Sequence, residues 1–114
     1  MSLYMIQAAY SQEGLRAMLQ NPQDRTNALR APIESLGGRV LNLFMSFGDY
    51  DAVLLIDMPT SVAAAAIAIA IGAGGACKSI KTTPLITVAE GIEALKQAVS
   101  SGYHSVLASA KAAS

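Results

Sequence analysis

The sequence predicts an α+β domain in which an antiparallel sheet carries helices on one face. Three observations lead there. The spacing of apolar residues alternates along the chain between strand-like and helix-like periods. Glycine pairs and prolines stand where the period changes. Two strand-like runs also follow one another across a short Gly48-Asp49 turn, which makes them antiparallel neighbours. The resulting order is strand, helix, strand, strand, helix, strand, helix, the βαββαβ pattern of a ferredoxin-like sandwich followed by one further helix.

"LYMIQAAY", Leu3 to Tyr10, is short, rich in aliphatic and aromatic residues, and closed by Ser11, so it reads as a strand. Leu15, Met18 and Leu19 then recur at helical spacing behind a Ser11 cap, and the turn stops at Asn21 because Pro22 disfavours a helical residue before it. Asn21 is expected to cap a second helix with Pro22 in its first turn. That helix should bury Ala28, Leu29, Ile33 and Leu36, kink at Pro32, and end at Gly37-Gly38. "RVLNLFMSF" and "YDAVLLIDM" form the hairpin, and Pro59-Thr60-Ser61 opens an alanine-rich helix that Gly74-Gly75 closes. "KSIKTTPLITV" is an extended run whose Pro84 suits an edge strand, and Glu90 to Ser100 forms the last helix with Ile92, Leu95 and Val99 on one stripe. The Ala- and Ser-rich end is expected to fray or pack loosely.

A two-residue type II′ loop at Gly48-Asp49 would set the hairpin register. Phe47, Met45, Leu43 and Leu41 would then face Tyr50, Ala52, Leu54 and Ile56 on a wholly apolar, helix-covered side, with Tyr50 packed on Phe47. The other side would pair Ser46 with Asp51, Phe44 with Val53, Asn42 with Leu55 and Val40 with Asp57. Phe44, Val53 and Leu55 would leave an apolar patch in water there. The simplest cover is a second copy across a two-fold axis, so a homodimer or higher homo-oligomer through the open sheet face is expected.

A chain of 114 residues fits a single domain, residues 1–114. Eight basic and eight acidic side chains cancel, which argues against nucleic acid and anionic lipid as partners. No Lys or Arg lies between Arg39 and Lys78, where Asp49, Asp51 and Asp57 fall, so one edge should be acidic. Cys77 is alone, which excludes an internal disulfide and a thiolate metal cluster within one chain, and its expected role is that of a buried small hydrophobe. The run Val62 to Cys77 is uncharged but too short and alanine-rich for a membrane span. No basic stretch followed by an apolar run opens the chain, so a cytoplasmic location is expected.

At "YSQEGLRAMLQNPQDR", "SLGGRV" and "SFGDYDAVLLIDMPTSVAAAAIAIAIGAGG" the sequence resembles the GYD domain family, over most of residues 3–83. Gly48, Tyr50 and Asp51 match the family's Gly, acidic or small residue, Tyr-Asp pattern, while Pro32 sits in a helix that usually lacks a proline there. The resemblance implies a ferredoxin-like fold of the dimeric α+β barrel type and no established activity. The C-terminal helix and tail, residues 89–114, lie outside the resemblance.

Chemistry-bearing residues are few. "GAGGACKS", Gly72 to Ser79, comes within one residue of a phosphate-binding loop, but Cys77 replaces the last glycine and the following segment is strand-like rather than helical. Asp49 and Asp51 offer an acid–base or cation-binding pair, with too few oxygens for a usual cation site. Arg25, expected in the first turn of its helix, stands where the helix dipole disfavours a cation, which suits a carboxylate or anionic ligand as its partner. Tyr10 shares a strand face with Tyr4 and Ile6, which places it in core or interface packing ahead of a ligand role. His104 is the lone histidine, without a second one to complete a metal site. Binding candidates are therefore Tyr10, Arg25, Asp49 and Asp51, with no catalytic residue assigned and no cofactor or metal expected. The leading reading is an oligomeric ligand-binding or structural module. The second is a small cofactor-independent oxygenase- or isomerase-like enzyme with Asp51, Tyr10 or Arg25 lining its pocket.

Overall fold

The computed structural model describes residues 1–107. Its elements are β1 (Ser2–Tyr10), α1 (Gln12–Gln20), α2 (Thr26–Ser35), β2 (Arg39–Met45), β3 (Ala52–Met58), α3 (Ser61–Ala73), β4 (Cys77–Leu85) and α4 (Val88–Ser100). The four strands form one sheet in the order β2-β3-β1-β4, every neighbouring pair antiparallel, consistent with a ferredoxin-like α+β fold. Ile6, Ile33, Ile56, Met58 and Ile67 are its largest fully buried side chains and lie where α2 and α3 meet the sheet. The frayed end expected of the chain beyond residue 107 lies outside the described residues.

Local signals explain most boundaries. Ser11 Oγ accepts from the Gly14 N–H at 3.0 Å and Thr60 Oγ1 from the Ala63 N–H at 3.0 Å, each satisfying a donor that a helix start leaves free. At the end of α2 the Gly37 N–H reaches the Glu34 carbonyl and the Gly38 N–H reaches that of Ile33, a Schellman motif made possible by the φ of 85° at Gly37. Gly75, with φ 82°, turns the chain from α3 into β4. No helix follows that turn, so "GAGGACKS" lacks the N-terminal donors of a phosphate loop. Pro84 lies on β4, an edge strand, where its missing donor costs no inner ladder bond.

Four expectations need correction. Asn21 does not cap α2: residues 21–25 are a connection, Arg25 holds the cap position without a side-chain bond, and Asp24 Oδ1 instead accepts from the Thr26 N–H at 2.8 Å. That Asx-type turn lets Asp24 do the capping work one residue earlier in the chain than the helix requires of an N-cap. Ala28 is exposed, and α2 runs on through Pro32 with Ile33 as its buried anchor. In the hairpin, Phe44 faces Val53 and Leu43 faces Leu54 as anticipated, but Val40 faces Ile56 and Arg39 faces Asp57 because Leu41 forms a bulge. Unbroken alternation would have turned Arg39 toward the core beside Met58; the extra residue rotates Val40 inward and lets Arg39 meet Asp57 on the other side, Nη2 to Oδ2 at 3.0 Å. Finally, Gly48 does not adopt the positive φ of a type II′ turn, the loop extends over residues 46–51, and Phe47 is wholly exposed rather than packed on the helix side. Met45 is exposed as well, because β2 is an outer strand and the helices reach only Val40 and Leu43.

Two apolar surfaces have no partner among the described residues. The face away from the helices carries Met5, Leu55, Val53 and Phe44, the last 53% exposed. α4 begins with a capping box, Thr87 Oγ1 accepting from the Glu90 N–H and Glu90 Oε1 from the Thr87 N–H, yet buries none of its residues. Its stripe of Ile92, Leu95 and Val99 is exposed. No residue of α4 joins the core between the helices and the sheet.

Candidate functional site

A cavity of about 400 Å³ opens between the sheet and the helices, at the end of the sheet where β1 runs out and β3 begins. Side-chain size creates it. Ala8 and Ala52 are direct partners across β1 and β3, so the floor is shallow between the larger Ile6 and Leu54 on one side and Tyr10 on the other. The roof is equally lean, with Gly14 and Ala17 from α1 and Ala70 and Gly74 from α3. Larger side chains at these positions would fill the gap, as close packing usually demands.

The helix that roofs it is held tightly. The Ser11 N–H donates to the Ala76 carbonyl at 2.8 Å, and Ser11 Oγ donates to the Gly75 carbonyl at 3.0 Å, clamping the start of α1 onto the α3–β4 turn. Gly14 lies so close to Ala76 that a Cβ there would overlap its carbonyl oxygen and stand 3.0 Å from its carbonyl carbon.

Polar groups collect at one end. Asn21, Gln23 and Arg25 come from the α1–α2 connection, while Tyr10 and Cys77, opposite one another across β1 and β4, come from the sheet. Burial holds the Tyr10 phenol above its ordinary pKa, reinforced by Cys77 and Asp51 and partly countered by Arg25. Burial also raises the Cys77 thiol, with Asp51 adding to it. Both groups are therefore neutral near pH 7, Tyr10 as a hydrogen-bonding phenol and Cys77 as a thiol with little thiolate. Cys77 in the folded protein should react with a disulfide reagent at pH 8 about tenfold more slowly than after unfolding in denaturant; equal rates would show that burial does not hold the proton.

The candidates named from the sequence separate in space. Tyr10 and Arg25 both line the cavity. Asp51 stands behind it: its Oδ2 accepts from the Tyr10 N–H at 2.8 Å and its own N–H donates to the Ala8 carbonyl at 2.8 Å. The carboxylate thus continues the β1–β3 ladder past the Ala8–Ala52 pair, and Ser46 Oγ, the partner expected for Asp51, donates to the Tyr50 carbonyl instead. Asp49 sits on the exposed tip of the β2–β3 loop and Asp57 pairs with Arg39, so the three aspartates do not converge. No group of metal-ligating side chains occurs among the described residues. His104 is exposed beyond α4. Nothing in the local sequence marks Asn21, Gln23 or Cys77 as binding residues, and the alanine pair that makes the hollow is visible only once the strand register is known.

An antiparallel sheet in this order, roofed on one side by helices with a hollow beneath them, makes this a ferredoxin-like α+β protein. The model of the GYD domain family matches residues 4–95, and the chain belongs to that family. The match runs past β4 into α4, further than the sequence motifs alone extend. A comparison with curated proteins found no match. No described helix is long and apolar enough to cross a membrane.

Proposed function

We propose that this protein is a homo-oligomeric module that binds a small molecule in the cavity between its sheet and helices. The observation that carries the reading is the cavity itself, a largely apolar hollow with polar groups at one end, of a size within the range of about 300–1,000 Å³ usual for ligand sites. Its ionisable groups suit binding better than catalysis. Tyr10 and Cys77 are held protonated, and the nearest carboxylate, Asp51, is already committed to the Tyr10 backbone. The carboxyls held below their ordinary range, Asp24 and Glu90, are exposed and serve local turns and caps. An enzyme of the cofactor-independent kind would need a poised acid or base facing the hollow.

Oligomerisation is supported by the unpartnered sheet face and the unpartnered stripe of α4, two apolar surfaces that a second copy would cover symmetrically.

Fluorescent titration tests the cavity. N-phenylnaphthylamine, an uncharged apolar probe, should bind with one site per protomer. Ala70→Phe, placed on an exposed helix position at the rim, should reduce that binding at least tenfold without lowering the melting temperature. Binding that Ala70→Phe leaves untouched would place the probe elsewhere and refute the reading.

A further inference from the structure

We propose that the occupant of the cavity is a monoanionic, otherwise apolar molecule, of the aryl or alkyl carboxylate class, seated with its charge against Arg25 and its hydrophobic body over the Ala8–Ala52 floor. The inference rests on the cavity being a binding site and adds the chemistry of what it takes.

The lining is asymmetric in charge. Among the described residues that border the cavity, Arg25 alone carries a formal charge at neutral pH, and no carboxylate does. Arg25 is exposed at the rim, and the one ion pair among the described residues is that of Arg39 with Asp57, so its guanidinium has no acidic partner among them. A planar guanidinium offers paired donors matched to a carboxylate or sulfonate. Asn21, Gln23 and the protonated Tyr10 phenol add neutral donors beside it. Asp51 keeps its charge, which is felt at Tyr10 and Cys77, but it stands behind the cavity and does not line it, whereas Arg25 does.

The remaining surface excludes other anions. The body of the cavity is Ile6, Leu29, Leu54 and Ile71 together with alanines, which gives a second charge no partner. A doubly charged phosphate on Arg25 would leave its second charge unpaired, and the Gly14 N–H at the start of α1 is already taken by Ser11 Oγ. A single charge on an oily skeleton is the chemistry that fits.

The test compares two probes sharing one skeleton, N-phenylnaphthylamine and anilinonaphthalene sulfonate, which differ by the sulfonate alone. The anionic probe should bind at least tenfold more tightly. Arg25→Gln should bring the two affinities within about threefold of each other by weakening the anion, Arg25→Lys should restore part of the difference, and all three proteins should melt alike. Ala70→Phe should remove both probes. Equal affinities in the unmodified protein, or a preference that survives Arg25→Gln, would overturn the anionic class while leaving the cavity reading intact, provided Ala70→Phe still abolishes binding. Should Ala70→Phe spare both probes, the cavity and the ligand class fall together.

Discussion

Gly14→Ala should lower the melting temperature by about 10 °C, although alanine is the better helix former by roughly 0.5–1 kcal/mol. The sign is decided by one neighbour. Gly14 has an ordinary helical backbone, so no positive φ is lost; the added methyl instead meets the carbonyl of Ala76, rigid backbone already accepting from the Ser11 N–H. Either α1 moves away from the α3–β4 turn or the Ser11 bond breaks. Overpacking costs about 1–3 kcal/mol and a lost hydrogen bond about 1 kcal/mol, together more than the gain in propensity. Gly72→Ala supplies the contrast, since a Cβ there meets only Ile80 Cδ1 at 3.6 Å, an ordinary contact. It should leave stability unchanged or raise it by up to about 1 kcal/mol. Thermal unfolding of both variants checks the pair: equal effects of the same sign would show that the close approach at Gly14 does not govern how α1 docks. Gly14 also lines the cavity, so probe binding should weaken in the destabilised variant alone.

Phe44→Asp should weaken the proposed self-association on the order of 100-fold or more, leaving a monomer. Phe44 is 53% exposed in the protomer, so the substitution removes little from the core and the single chain should fold. In an assembly closed over the open sheet face, every copy would instead bury a carboxylate beside Val53. A two-fold axis places the change twice in one interface. Sedimentation at micromolar concentration reads the result. An unmodified protein that sediments as a monomer, or a Phe44→Asp variant that stays assembled, would remove the sheet face from consideration as the interface.

Asp51 shows how a sequence motif can be legible while its purpose is not. The "GDYD" turn stands out in the chain, but the Asp51 side chain is not used toward Ser46, its expected cross-strand partner; its donor is the backbone of Tyr10, 41 residues earlier. No spacing rule connects them. Arg25 and Tyr10 stand out in the sequence for separate reasons, a cation expected at an unfavourable helix position and an aromatic on a strand face shared with Ile6, and only the docking of α1 and its following loop over the sheet brings them to one hollow.

The chain by itself determined the order of the four strands and the helical segments between them, though its βαββαβ pattern does not carry the splitting of the first crossover into α1 and α2. It also determined the caps at Ser11 and Thr60, the glycine ends of α2 and α3, and the pairing of Phe44 with Val53, because each depends on residues close in sequence or on the two-residue period of a strand. Tertiary structure alone decided the bulge at Leu41, the exposure of Phe47 and Met45, the clamp between Asp51 and Tyr10, and the gap over Ala8 and Ala52. Those features depend on how far the helices reach across the sheet and on which small residues meet over long separations, and neither quantity is carried by any local stretch of the chain.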